Sequence, residues 1–393
     1  MRKAAIPLLL VVCSLVVSVL AFEVVLRVVG FSAPVWYEPD SRLGWRMRPG
    51  LAAWYTREGH AFVSANRDGM PDKDHALEKA PGVYRIAVLG DSYSEARQVA
   101  RDEAYWRLLP GELSACGFQK GKQIEVLNFG VSGFGTAQEY VVLESQAIRY
   151  RPDMVLLQFT NGNDLRDNSF ALDPEKGRPY YMLGADGKLR MDESFASSDE
   201  FMARASFKHE LLRKATDKSR VLQLVRSLKE TSFVSSQASL VPSAQAATAG
   251  VEQGLEPMVL VPPRDALWDE AWRITEGLIA KSADFSKRNG ARFAVVTVPY
   301  AIQVHPDPNV RASLQARLGV KDLFYPDQRI AALAKKNGIT AVTLAPEMQP
   351  LAQKSGTYFH GFDNVGMGRG HWNAEGHRAA ARIIARRLCE ERG

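Results

Sequence analysis

The sequence predicts an α/β protein of three layers, a parallel sheet with helices on both faces, and three observations predict it. Four runs of strand length are apolar throughout: "YRIAVLG" (84–90), "IEVLNFG" (124–130), "DMVLLQF" (153–159) and "RFAVVTV" (292–298); a weaker fifth, "TAVTL", lies at 340–344. Between them the spacing of apolar residues is helical, in "EAYWRLLPGELSA", "AQEYVVLESQAIRY", "ALWDEAWRITEGLIAKSADFSKRN" and "PDQRIAALAKKN". Strands without a polar side are buried on both faces, and a helix between successive strands lets them run parallel. A chain of 393 residues, 46% hydrophobic and with seven Trp, is also large enough to bury such a sheet.

Taken in order, the chain opens on "MRKAAIPLLLVVCSLVVSVLAF", two positive charges followed by an uninterrupted apolar run from Ala4 to Phe22. A run of about 19 such residues approaches the length of a membrane-spanning helix. The apolar pattern continues through Val24, Val25 and Leu26, and Val19 with Ala21 makes a poor cleavage site. An uncleaved signal-anchor over residues 1–30 is therefore favoured over a cleaved signal peptide. With Arg2 and Lys3 cytoplasmic, the rest of the chain lies on the extracytoplasmic, periplasmic side of the inner membrane. No lipobox precedes Cys13.

Residues 31–82, rich in Pro, Gly, Trp and Tyr with the turn cluster "NRDGMPD", read as an irregular or β-containing lead-in. The first sheet strand then ends on Gly90-Asp91-Ser92, where glycine allows a sharp turn. Pro110 interrupts the following helical pattern and is expected to kink or restart that helix. After the third strand the alternation fails, and residues 165–266 read as an insertion above the strand ends. Within it "RPYYMLGADGKLRMD" suggests a hairpin, and residues 201–229 have amphipathic helical periodicity with many Lys and Arg. "SSQASLVPSAQAATAGVEQG" reads as a mobile loop.

The formal charge of +6, from 50 basic and 44 acidic residues, is spread along the chain. No basic block interleaves with aromatics, so no nucleic-acid partner is expected. Cys13, Cys116 and Cys389 lack the spacing of a zinc site, and no metal or cofactor is expected.

Ligands of open parallel sheets sit at the carboxyl ends of the strands. There the sequence places Ser92 after the first strand, "NFGVSG" ending at Gly133 after the second, and "TNGND" with Asn163 and Asp164 after the third. "GRGHWNAEGH" precedes the last helix and holds His371 and His377. Together they supply a nucleophile, a backbone donor, a side-chain donor and a base, the equipment of acyl transfer.

The blocks "GDSY", "NFGVSG", "NGND" and "GHWNAEGH", in this order, resemble those of the SGNH (GDSL-type) hydrolase superfamily, here as an exported, membrane-anchored bacterial member. The resemblance covers residues 84–164 and 292–390. It implies a flavodoxin-like five-stranded parallel sheet within a hydrolase domain spanning 83–393. It also implies Ser92 as nucleophile, an oxyanion hole from Ser92, Gly133 and Asn163, and His371 as base. His377, inside the helix capped by Asn373, is assigned to packing; Asp164 to anchoring its loop; His305 and His360 are taken as ordinary polar residues.

One departure stands out. The family commonly carries an aspartate three residues before the base, where this chain has Gly368. Asp363, on the same glycine-rich segment, is the candidate to orient His371; a backbone carbonyl, leaving a Ser–His dyad, is the alternative. The expected activity is hydrolysis of carboxylic esters, acetyl or short acyl, with an acylated glycan as one form of the substrate. The alternatives are an O-acyltransferase acting on a cell-surface polysaccharide and a non-catalytic glycan-binding or assembly protein. In a flavodoxin-like order the helices carrying Cys116 and Cys389 lie side by side. A disulfide between them and two separate thiols are both open.

Overall fold

The computed structural model describes residues 2–238 and 257–391. Before the sheet, the chain makes two antiparallel hairpins, β1 (Tyr37–Asp40) with β2 (Gly44–Met47), and β3 (Ala52–Tyr55) with β4 (Ala61–Ser64). The five sheet strands are β5 (Val83–Leu89), β6 (Gln123–Asn128), β7 (Met154–Thr160), β10 (Arg292–Val298) and β11 (Thr340–Thr343), all paired in parallel. They lie in the order β6-β5-β7-β10-β11, the 2-1-3-4-5 arrangement of a flavodoxin-like sheet. The order reverses at β5, so the ends of β5, β6 and β7 open onto one crevice.

Side-chain alternation along β5 shows why both faces need cover. Tyr84, Ile86 and Val88 pack on one side with Trp106, Leu109, Met348 and Ile384. Ala87 and Leu89 pack on the other with Val141, Trp272 and Ile330. Burying each large aliphatic or aromatic side chain stabilises the fold by about 1.5–3 kcal/mol, so neither layer of helices is dispensable.

The helix Tyr105–Ala115 runs through Pro110 without a break, contrary to the expected restart. At its end Cys116 is joined to Cys389 of the C-terminal helix (Ala374–Glu390) by a disulfide, with 6.4 Å between α-carbons.

The insertion begins with the short helix Asp164–Asp167 and the hairpin of β8 (Tyr180–Leu183) and β9 (Leu189–Asp192), as "RPYYMLGADGKLRMD" suggested. Helices Asp199–Ala205, Phe207–Lys218 and Arg220–Ala238 follow. The last of these takes in the start of the expected mobile loop, whose remainder lies outside the described residues. After β11, the hairpin of β12 (His360–Phe362) and β13 (Gly366–Trp372) leads into the C-terminal helix.

At the other end of the chain, the helix Arg2–Val28 contains a stretch, Leu9–Val28, long and apolar enough to cross a membrane. Its Leu9, Leu15, Leu20 and Val25 stand exposed, as do most of their neighbours.

Candidate active site

Ser92 opens a one-turn helix, Ser92–Glu95, directly beyond β5. Asp91 caps that turn by accepting from the Tyr93 N–H at 2.9 Å, and Gln158 Nε2 donates to the same Asp91 oxygen at 3.0 Å. The need for glycine at position 90 is one of space rather than of backbone angle. A β-carbon there would stand 2.3 Å from Gln158 Oε1 and 2.5 Å from Ser94 Oγ.

His371 lies on β13, with Nε2 2.8 Å from Ser92 Oγ. Its Nδ1 lies 2.6 Å from Glu58 Oε2, and its backbone N–H donates to Glu58 Oε1 at 2.6 Å. A carboxylate only accepts, so Nδ1 carries the hydrogen and Nε2 is left to accept from the Ser92 hydroxyl. Burial raises the affinity of Glu58 for a proton, but the hydrogen bonds and charge of His371 outweigh it and hold this carboxyl below its usual value.

The acid expected at Nδ1 was Asp363, and the structure corrects this: Glu58, from the lead-in, occupies the place. Asp363 sits exposed in the turn between β12 and β13. Its neighbour Asn364 has a part, since its Oδ1 accepts from the Gly59 N–H at 3.0 Å and its Nδ2 donates to the Thr56 carbonyl at 3.1 Å. The turn that was to supply the acid therefore grips the turn that does. Gly368 has φ +80, and a β-carbon there would come within 3.1 Å of the Tyr358 ring. That position cannot hold an aspartate without strain.

Gly133 and Asn163 line the same cavity as Ser92 and His371, a space of about 970 Å³. Gly133 has φ +79, and the Ser132–Gly133 peptide is held on both sides. Trp45 Nε1, from β2, donates to the Ser132 carbonyl at 3.1 Å, so the Gly133 N–H of this trans peptide points away from Trp45. The Ser132 N–H donates to Glu95, and Arg178 Nη1 donates to the Gly133 carbonyl at 2.6 Å. Asn163 Nδ2 donates to Asp167 at 3.1 Å, which fixes the amide and leaves it a second hydrogen for a ligand. Asp164 accepts from the Thr160 N–H at 2.8 Å, the loop-anchoring contact expected of it.

The remaining histidines are elsewhere. His377 is buried beside Tyr105, and burial pushes its pKa down to about 3. His360, taken from the sequence as an ordinary polar residue, is instead 1% exposed and packed against Tyr93 and Trp372. His305 accepts from the Asp307 N–H at 3.1 Å.

Sequence reasoning missed Glu58, Trp45 and Arg178. The first two lie in the lead-in, where no regular pattern marks them. The one available signal was composition: a short segment rich in Trp and Tyr must pack against something, and here Tyr37 and Trp45 line the cavity that holds Ser92.

No protein-family model and no curated protein matches this chain. Among solved structures it is similar to a catalytic mutant of Axe2, an acetylxylan esterase from Geobacillus stearothermophilus, at 12% identity and a TM-score of 0.38, over 78% of this chain and 94% of that one. It is similar to the acetyl xylan esterase AlAXEase at 13% identity and a TM-score of 0.38, over 78% and 98% of the two chains. LAE5, an alpha/beta hydrolase enzyme from the metagenome of Lake Arreo, Spain, gives 12% identity and a TM-score of 0.38, over 78% and 94%. At these levels the sheet order and the site distances stand on this chain alone.

Proposed function

We propose that this chain is a membrane-anchored serine esterase of the SGNH (GDSL-type) kind, acting on carboxylic esters through Ser92, His371 and Glu58. The observation that carries the reading is the unbroken relay from Ser92 Oγ to His371 Nε2 at 2.8 Å and from His371 Nδ1 to Glu58 at 2.6 Å. Ser92 Oγ attacks the ester carbonyl as His371 takes its proton, and Glu58 stabilises the imidazolium that forms. The tetrahedral oxyanion is held by the N–H groups of Ser92 and Gly133 and the side-chain amide of Asn163. His371 then protonates the departing alcohol, and a water molecule activated by the same base releases the acid. The non-catalytic alternative rested on Gly368, and a carboxylate at Nδ1 from Glu58 removes that ground.

A cavity of about 970 Å³ exceeds what a short acyl group fills, which favours a second acceptor-binding reading. In it the acyl group passes from Ser92 to a sugar hydroxyl instead of water. For the chain's location, the disulfide between Cys116 and Cys389 supports an oxidising compartment beyond the membrane, with Arg2 and Lys3 left behind in the cytoplasm.

The test is reaction with a fluorophosphonate and with a chromogenic acetyl ester, in the presence and absence of sugar acceptors. Label recovered on the peptide containing Ser92, and loss of label and hydrolysis in a folded Ser92→Ala variant, are expected. Label on another serine, or an active Ser92→Ala, overturns the reading. Acylated sugar among the products selects transfer.

A further inference from the structure

The insertion's helices present an apolar stripe that no other part of the described chain covers. Along Phe207–Lys218, Phe207, Leu211 and Leu212 are 77%, 58% and 56% exposed, and Leu222, Val225 and Leu228 continue the stripe along Arg220–Ala238. Phe207 and Leu211, at i and i+4, share one helix face, while Thr216 is buried on the inner side. From 207 to 229 there are seven basic residues (Lys208, Arg213, Lys214, Lys218, Arg220, Arg226, Lys229) and two acidic ones (Glu210, Asp217). Lys208, Lys214, Lys218 and Lys229 are exposed.

The place of this stripe is fixed by the N-terminal helix. The carboxylate of Glu23 accepts from the backbone N–H of Arg220 at 2.9 Å, that of Val221 at 3.0 Å, and the Ser219 hydroxyl at 3.0 Å. Arg27 Nη2 donates to the Lys218 carbonyl at 2.6 Å, and Arg48 forms an ion pair with Asp217 at 2.6 Å. The junction of the two insertion helices is thus fastened to the last turns of the apolar helix. At 1.5 Å per residue, Glu23 stands only about 7–8 Å short of the end at Val28. The β3–β4 hairpin shares the neighbourhood: Trp54 and Phe62 border a cleft with Arg27, Arg48 and Arg220. A basic, apolar-faced helix rimmed by an aromatic residue is the make-up of an element lying in a headgroup layer.

We propose that the helices Phe207–Lys218 and Arg220–Ala238 lie on the surface of the bilayer that the N-terminal helix enters. Phe207 and Leu211 sink to the acyl-chain boundary, and Lys208, Lys214 and Lys218 reach anionic headgroups by extending along the apolar surface. This rests on the reading of Leu9–Val28 as a membrane span. The occupant is the bilayer rather than an apolar helix of another protein because the stripe is fastened at its midpoint, residues 218–221, to that span and carries cations on both sides of the junction.

The experiment uses the full chain with two substitutions, Cys13→Ser and Leu211→Cys, and an environment-sensitive fluorophore attached to the thiol introduced at position 211. It is reconstituted in vesicles of phosphatidylcholine with phosphatidylglycerol. Retention of the protein in the vesicles after alkaline carbonate reports the span, and ester hydrolysis reports the fold. In retained, active protein the label's emission is expected to shift to the blue and to fall about twofold or more with lipids quenching near the headgroups. The quenching is expected to weaken in vesicles of phosphatidylcholine alone. An unshifted label, or a shifted one that lipid-borne quencher leaves untouched, overturns the proposal, the second result pointing to protein cover. Equal quenching in both vesicles overturns the part given to headgroup charge. Loss of the protein in carbonate refutes the span itself.

Discussion

Replacing Glu58 with glutamine keeps the shape of the side chain and reverses what it offers to His371. One amide end still accepts from the His371 N–H, as Glu58 Oε1 does at 2.6 Å, which turns the –NH₂ toward Nδ1 in place of the oxygen now 2.6 Å away. Facing a donor, Nδ1 becomes the acceptor and the ring hydrogen moves to Nε2, where it cannot take the Ser92 proton. The charge is lost as well. Two unit charges about 4 Å apart at an effective dielectric of about 20 attract by about 4 kcal/mol, a reasonable separation for charges spread over an imidazolium and a carboxylate 2.6 Å apart at their nearest atoms. Withdrawn from the transition state, that is a fall of about 10³-fold in kcat. Glu58 does not line the cavity, so KM should change little. Steady-state kinetics on an acetyl ester measures both, with Asp363→Asn as the matched control expected to retain full rate. A Glu58→Gln enzyme within about tenfold of wild type, or an Asp363→Asn enzyme as damaged as Glu58→Gln, would refute this account of the base.

Three further outcomes follow from other parts of the site and fold. Asn163→Ala should lower kcat by about 10²–10³-fold with fluorophosphonate labelling slowed but still at Ser92, the cost of one oxyanion donor; full activity would remove Asn163 from the hole. Glu139 is buried with neither carboxylate oxygen hydrogen-bonded, and burial followed by the nearby Asp91 charge raises its pKa well above the ordinary value. The folded state therefore carries a penalty that is absent below the unfolded pKa and grows as pH rises toward the folded one. Glu139→Gln should accordingly raise Tm at pH 8 and leave it nearly unchanged at pH 4, and a fall in Tm at pH 8 would contradict this. Breaking the 116–389 link with Cys116→Ser and Cys389→Ser should cost about 2–5 kcal/mol in denaturant unfolding, and an unchanged midpoint would show that the link adds no stability.

How much of this was legible in the sequence depended on how far each feature is set by local pattern. The sheet was readable because strands buried on both faces have no polar alternation, and β5, β7 and β10 lie within a residue of the runs that announced them. Ser92, Gly133, Asn163 and His371 were readable because each follows a strand or precedes a capped helix, and sheet topology then gathers them onto one cavity. Glu58 was not, because its approach to His371 is a tertiary event between residues 313 positions apart, made by a two-strand hairpin with no periodic signal. Pro110 misled in the other direction: the helix around it buries Trp106, Leu109 and Leu113, and that packing outweighs the lost hydrogen bond. The stripe on 201–229 was visible as periodicity, but only its attachment to Glu23 and Arg27 says where it faces.

The hairpin that brings Glu58 to His371 also makes this chemistry conditional. Ser92 follows β5 and His371 lies on the β12–β13 hairpin, whereas Glu58 and Trp45, which donates to the Ser132 carbonyl, come from residues preceding the sheet. A fragment beginning at Val83 would keep Ser92 and His371 yet lose both, and would act at most as a sluggish dyad. On the proposed reading, lifting the β3–β4 turn from the grip of Asn364 would withdraw Glu58 from His371 without touching Ser92. The completeness of the relay, on that same reading, depends on the seating of a hairpin that lies outside the sheet altogether.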